Sequence, residues 1–219
     1  MKKIISLCSL ASLTLSFGLS HGAIVARFDV GSSGDNTLDQ TGFVQTDWAD
    51  VNLSNSASGV TQNGVTLTIG SGANESRNRT GPTISSNPLE DVFRDFFFTR
   101  SADGAVPIVF SGLVPETPYE ITGYAYDASG GNNETGFWYL GSVDPGNLQH
   151  TWTSSIATLD DPGDIFTLTG TSNASGELTY LVTTDNTSRI NGFEVNQIPE
   201  PSSLALLALG GIVAARRRR

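Results

Sequence analysis

One cysteine and two histidines in 219 residues leave little material for the commonest catalytic and metal-binding chemistries. The single thiol, Cys8, lies in the first 23 residues. The rest of the chain therefore forms no disulfide and has neither a thiol nucleophile nor a cysteine metal site. His150 is the sole imidazole beyond residue 23, and no G-x-S-x-G turn accompanies it. A serine-histidine hydrolase thus has no support in the sequence, and His150 reads as a surface or sheet-face residue. Lysine is missing from residues 24–198 altogether: six arginines face 21 acidic residues there, a net charge of −15. Scattered cations in that number cannot neutralise a run of phosphates, which excludes nucleic acid as a partner. Charged residues make up 16% of the chain, below the ~25% of an average soluble domain, and a helical bundle rich in Glu, Lys and Leu is excluded with them.

Glycine, serine and threonine fill the gap, and with them come short apolar runs of β type. Strands are expected near Ile24–Val30, Val65–Ile69, Ile108–Phe110, Tyr119–Tyr126, Gly136–Leu140, His150–Ala157, Ile165–Leu168, Leu178–Thr183 and Ile190–Asn196. The clearest alternation sets Val65, Leu67 and Ile69 on one face against Thr66 and Thr68 on the other. One helix is expected, with Asn87 as cap, Pro88 in the first turn, and Leu89, Val92, Phe93 and Phe96 along one stripe. Residues 31–62 and 70–86 read as polar loops. About nine strands, each with one apolar face to bury, predict an all-β fold: an antiparallel two-sheet β-sandwich, jelly-roll-like, with one short helix. A domain of this size buries roughly 70% of its unfolded surface and needs no staple to fold.

The two ends read differently. Met1-Lys2-Lys3, the apolar stretch Ile4 to Leu19 and the small residues Gly22 and Ala23 have the three regions of a secretory signal peptide, so residues 1–23 are expected to engage the secretion machinery and signal peptidase. At the other end Pro199-Glu200-Pro201 leads into an uncharged stretch, Ser202 to Ala215, and then Arg216-Arg217-Arg218-Arg219. Fourteen helical residues would span only ~21 Å of a ~30 Å hydrocarbon core, so the stretch suits transient membrane insertion better than a permanent span. Four arginines would keep its end on the cytoplasmic side.

Pro-Glu-Pro, a short apolar stretch and terminal arginines, in that order, resemble the PEP-CTERM sorting domain of Gram-negative bacteria. The resemblance covers residues 199–219 and implies recognition by an exosortase-type enzyme, removal of the tail near the motif, and delivery to the cell envelope, cell surface or extracellular matrix. In the region between the ends, Leu113-Val114-Pro115-Glu116-Thr117-Pro118-Tyr119 is similar to the L-x-P-x-T-x-Y segment of fibronectin type III domains, where the tyrosine hydroxyl bonds back to upstream backbone. A longer order spans residues 24–198. It comprises an opening Phe28-Asp29-Val30-Gly31 strand, Arg94-Asp95-Phe96 ahead of the Gly112-Leu113 turn, and a closing strand from Arg189 to Val195. That order resembles galactose-binding-like jelly rolls and related carbohydrate-binding modules.

Two constellations are candidates for binding. Asp127, Asn132 and Glu134 surround a glycine-rich turn, and Asp160, Asp161 and Asp164 surround a second one. Calcium takes six to eight oxygen ligands and such turns can supply them, while solvated turns built from Asp, Asn and Gly are the competing reading. Phe137-Trp138-Tyr139 and Trp152 concentrate the aromatics. On a strand Trp138 points away from Phe137 and Tyr139, so one set is available to stack on sugar rings and the other to fill the core. Trp138 is the leading candidate for a sugar contact, with Tyr139 and Trp152 beside it. The reading is of an exported, non-enzymatic envelope or matrix protein that contacts exopolysaccharide. Its alternatives are a carbohydrate-binding module with specific sugar affinity and, third, a small glycan-active enzyme.

Overall fold

Val65-Thr66-Leu67-Thr68-Ile69 illustrates how the chain folds: its aliphatics are buried and its threonines half-exposed, so the strand has a core face and a solvent face. A computed structural model describes residues 23–31, 44–52, 54–73, 75–78, 88–127, 134–153 and 164–199. Residues 1–22 of the expected leader, the tail beyond Pro199, and Asn87, Asn132, Asp160 and Asp161 lie outside the described residues, while Ala23, the last residue of the expected leader, opens the first strand. In chain order the strands are β1 (Ala23–Val30), β2 (Ala49–Val51), β3 (Val60–Gln62), β4 (Val65–Ile69), β5 (Glu75–Asn78), β6 (Asp95–Arg100) and β7 (Val106–Ser111). They continue with β8 (Pro118–Tyr124), β9 (Thr135–Leu140), β10 (Leu148–Thr153), β11 (Ile165–Thr171), β12 (Leu178–Thr184), β13 (Thr187–Ile190) and β14 (Gly192–Gln197).

Two large sheets form the sandwich. One has five strands in the order β11-β8-β14-β1-β2, the other six in the order β10-β9-β12-β7-β4-β3. Pairing is antiparallel except between β1 and β2, where Phe28, Asp29 and Val30 run parallel to Ala49, Asp50 and Val51. The core lies between the sheets: Phe28, Ile121, Phe193 and Val195 from the first meet Leu67, Phe110, Trp138 and Tyr180 from the second. Phe110 and Phe193 join the layers edge to face, with ring centroids 5.4 Å apart.

A third sheet, β13-β6-β5, was not foreseen. Residues 95–100 (DFFFTR) form its central strand and are buried except for Arg100. Their aromatic, β-favouring content pairs with β5 and β13, which stops the expected helix early: α1 spans only Glu90–Arg94, and Phe96 belongs to β6. The closing strand is likewise split at Asn191, β13 entering the small sheet and β14 the five-stranded one. Asn191 holds the junction. Its side-chain amide donates to the Asp95 carbonyl at 3.0 Å, and its Oδ1 accepts from the Tyr126 amide at 2.7 Å. Loops expected over 31–62 and 70–86 contain β2, β3 and β5, of which β2 and β3 are too short to display a period.

The turn into β8 adopts the corner that its sequence resemblance implied. Tyr119 is buried and its hydroxyl accepts the Val114 amide hydrogen at 2.9 Å. Just before the corner, Gly112 packs against the β3–β4 turn: its φ is +75°, and a Cβ there would lie 2.2 Å from the Gly64 carbonyl oxygen.

Candidate functional site

Strand parity decides which aromatics are available. Trp138 and Trp152 are fully buried, Trp138 packed between Phe166 at 5.0 Å and Phe193 at 6.0 Å. The expectation that either presents a sugar-stacking face is therefore corrected: both indoles fill the sandwich. Trp138 pairs in register with Val182, another inward residue, and the largest apolar side chain of the triplet takes the core side. His150, expected at a surface or sheet face, also turns inward and stacks on Phe166 at 4.2 Å. Phe137 and Tyr139, on the opposite parity, stand half-exposed on the outer face of the six-stranded sheet.

Register assembles that outer face row by row. Leu148 pairs with Tyr139, Tyr139 with Leu181, and Leu181 with Pro107, giving an apolar row across four strands. On one side runs Thr151, Phe137 and Thr183, with the Thr153 and Thr135 pair beyond it. On the other side runs Thr179, Val109 and Thr68. Ser111, Thr66 and Thr61 close that side, and the Thr61 and Thr66 hydroxyls are 2.7 Å apart. None of these side chains is charged. The outer face of the five-stranded sheet differs: Arg27, Glu194, Thr122 and Thr167 form one row, with Arg27 and Glu194 paired at 3.0 Å, and Glu120 lies in the next. Hence the two broad faces have opposite chemistry, one neutral and rich in methyl and hydroxyl groups, the other charged.

The described carboxylates among those proposed for calcium, Asp127, Glu134 and Asp164, have partners within the chain. Asp127 and Glu134 converge on Arg189, at 3.0 and 2.7 Å, and the guanidinium of Arg189 also lies 3.9 Å from the Phe98 ring centroid. The chain's own cation thus stands between the two carboxylates that the sequence assigned to a metal. Asp164 accepts the Trp152 indole hydrogen at 3.1 Å, which ties the turn before β11 to the core. Among the described residues no three His, Cys, Asp or Glu side chains are grouped to hold a metal ion.

Asp29 has a different environment, which sequence reasoning missed. It is 1% exposed, one carboxylate oxygen accepts the Gln45 amide hydrogen at 2.6 Å, and the other has no hydrogen-bond partner among the described residues. Burial first, and the nearby Asp50 and Asp91 charges with it, push its carboxyl up to about 7 against the pull of the Gln45 bond. The parallel pairing of β1 with β2, which sets Asp29 beside Asp50, is the source of the crowding, and no sequence pattern announces it.

At the C-terminal end β14 lies between β8 and β1, Gln197 facing both Tyr119 and Ala23, and the Ile198 amide donates to the Pro118 carbonyl at 3.0 Å. A family model for the PEP-CTERM protein-sorting motif matches from this point to the end of the chain. Residues 197–219 are a PEP-CTERM sorting motif. The motif makes the chain an exported protein, sorted to the cell envelope and processed by an exosortase-type enzyme. It begins inside the sheet, so its first two residues are fixed by the fold while Pro199 is exposed.

No curated protein matches the sequence. Solved structures similar to this chain include β-glucuronidase 2 of Bacteroides uniformis, at 13% identity over 80% of this chain, with a TM-score of 0.42. The chain spans 18% of the length of that enzyme. The CBM22-1 xylan-binding domain of Paenibacillus barcinonensis Xyn10C is similar at 12% identity, over 81% of this chain and 96% of its own, with a TM-score of 0.36. A carbohydrate-binding module of Cellvibrio mixtus lichenase 5A follows at 13% identity, over 80% of this chain and 98% of its own, with a TM-score of 0.25.

Proposed function

We propose that this chain is a non-enzymatic protein of the Gram-negative cell surface or extracellular matrix, and that the outer face of its six-stranded sheet contacts polysaccharide. Residues 1–23 act in this reading as a removable leader, and the apolar tail inserts in the membrane only until the exosortase-type enzyme removes it. The observation that carries the reading is the neutral face itself. On a region with net charge −15, the described strand residues of one broad sheet face include no charged side chain and present Tyr139 and Phe137 among threonines. Sugar rings combine an apolar face with a rim of hydroxyls, and a surface of aromatic, methyl and hydroxyl groups matches both parts. The non-enzymatic reading draws on the carboxylates: Asp127 and Glu134 are committed to Arg189, and Asp29 and Asp164 are buried away from this face.

Retention of the processed protein in polysaccharide-containing native gels, paired with thermal melts, tests the proposal. Tyr139→Ala should lose retention while shifting stability by no more than about 0.5–1 kcal/mol, as a surface substitution does. Trp138→Ala should instead lose about 3–5 kcal/mol, because it empties a core position. Retention that survives Tyr139→Ala and Phe137→Ala together would end the assignment of this face. Affinity confined to one sugar among many would favour a dedicated carbohydrate-binding module over a general matrix contact.

A further inference from the structure

We infer that the ligand of this face is a neutral, extended polysaccharide of equatorially linked pyranose rings, laid across the strands along the Leu148, Tyr139, Leu181 and Pro107 row. The inference rests on the sugar-contact reading above and specifies the chemistry and direction of the bound polymer.

The direction follows from the register. The apolar row crosses β10, β9, β12 and β7, three strand spacings of about 4.8 Å each, or about 14 Å in all. One sugar ring of an extended chain advances by close to one strand spacing, so about three rings cover the row. Each ring in such a chain carries its axial hydrogens on its two faces and its hydroxyls around the rim. With the faces lying on Tyr139 and Leu181, the rim reaches sideways into the flanking rows, where Thr183 and Thr151 stand on one side and Thr179 and Thr68 on the other. A polymer running along a strand would instead meet apolar and hydroxyl side chains mixed within each strand, as in Thr179, Leu181 and Thr183 on β12. Beyond Pro107 the row meets Gly70, which has no side chain to obstruct it: a Cβ there would lie 2.4 Å from the Pro107 ring.

Charge sets the class. Among the described residues the strands of this face offer no arginine or lysine to pair with a uronate or sulfate, and the −15 charge of residues 24–198 opposes the approach of any polyanion. A neutral polymer pays no such cost, and its binding should be nearly independent of salt. A coiled polymer with axial linkages cannot keep successive rings flat on a straight row.

The test uses the processed protein with three probes: soluble xylan as a neutral extended polymer, amylopectin as a neutral coiled one, and polygalacturonate as an anionic one. Xylan should retain the protein equally at low and high salt, and amylopectin and polygalacturonate should not. With xylo-oligosaccharides, affinity should rise about tenfold or more from the monosaccharide to the trisaccharide and then level off. Leu181→Asp, which places a charge at the middle of the row, should abolish xylan retention without lowering the melting temperature by more than a few degrees. Preference for polygalacturonate or amylopectin, lost on Tyr139→Ala, would overturn the class inferred here and leave the face as the contact site. Retention by none of the polymers would overturn both. Xylan binding that Leu181→Asp leaves intact in a folded protein would overturn the row.

Discussion

Asp29 is the residue whose chemistry departs furthest from what its type suggests. A carboxyl pushed from 3.8 in the unfolded chain up to about 7 in the fold is held more tightly as its protonated form by the native state. At this site the native state therefore binds more protons than the unfolded chain between those values, and the contribution of Asp29 to stability falls as pH rises from about 4 to about 7. Asp29→Asn should remove most of that slope, since an amide mimics the protonated carboxyl and needs no proton. Denaturant melts of parent and variant from about pH 5 to about pH 8 decide it: parallel curves would show that Asp29 is not the group responsible. Tyr139 and Trp138 make a second point at this scale. Alternation sorted the aromatic triplet into two sets, but it could not name the core side, because both sets are large and apolar. Register with Val182 on the inner face and Leu181 on the outer one settles the matter, and both partners are remote in sequence.

Among the elements, Asn191 joins the sheets. It interrupts what reads in sequence as a single closing strand, and its side chain binds the backbone of β6 and of the segment after β8. Asn191→Ala should leave the Asp95 carbonyl and the Tyr126 amide without partners in a buried site and cost about 3 kcal/mol, read by urea denaturation. A loss below about 1 kcal/mol would mean that the junction is held by packing alone. The elements most legible in the sequence are those with a period: β4 has the predicted bounds, and β12 differs from its prediction by one residue. Those that escaped have none. β2 and β3 are three residues long, and β6 is buried on both faces, so its continuous aromatic run resembles the end of an amphipathic helix as much as a strand. The tyrosine corner was readable because its Leu-x-Pro-x-Thr-x-Tyr order is local, whereas the Arg189 cluster was not, because Asp127 and Arg189 are 62 positions apart.

At the scale of the whole molecule, sorting and the proposed polysaccharide contact fall on separate parts of the chain. The sorting motif grows directly out of the central strand β14 and addresses the protein to the envelope, while the two sandwich faces divide the surface into a charged side and a neutral one. Composition foretold the acidic net charge but not its uneven distribution, because that depends on which strands share a sheet. The central claim, that the neutral face is the contact surface, is tested most directly by mapping backbone and methyl NMR shifts of the isotope-labelled processed protein during titration with xylotriose. The account predicts perturbations gathered on Phe137, Tyr139, Leu181, Val109 and Thr179, with Thr122, Thr167 and Glu194 unmoved on the opposite sheet. Perturbations centred on Arg27, Glu194 and Glu120 would contradict it.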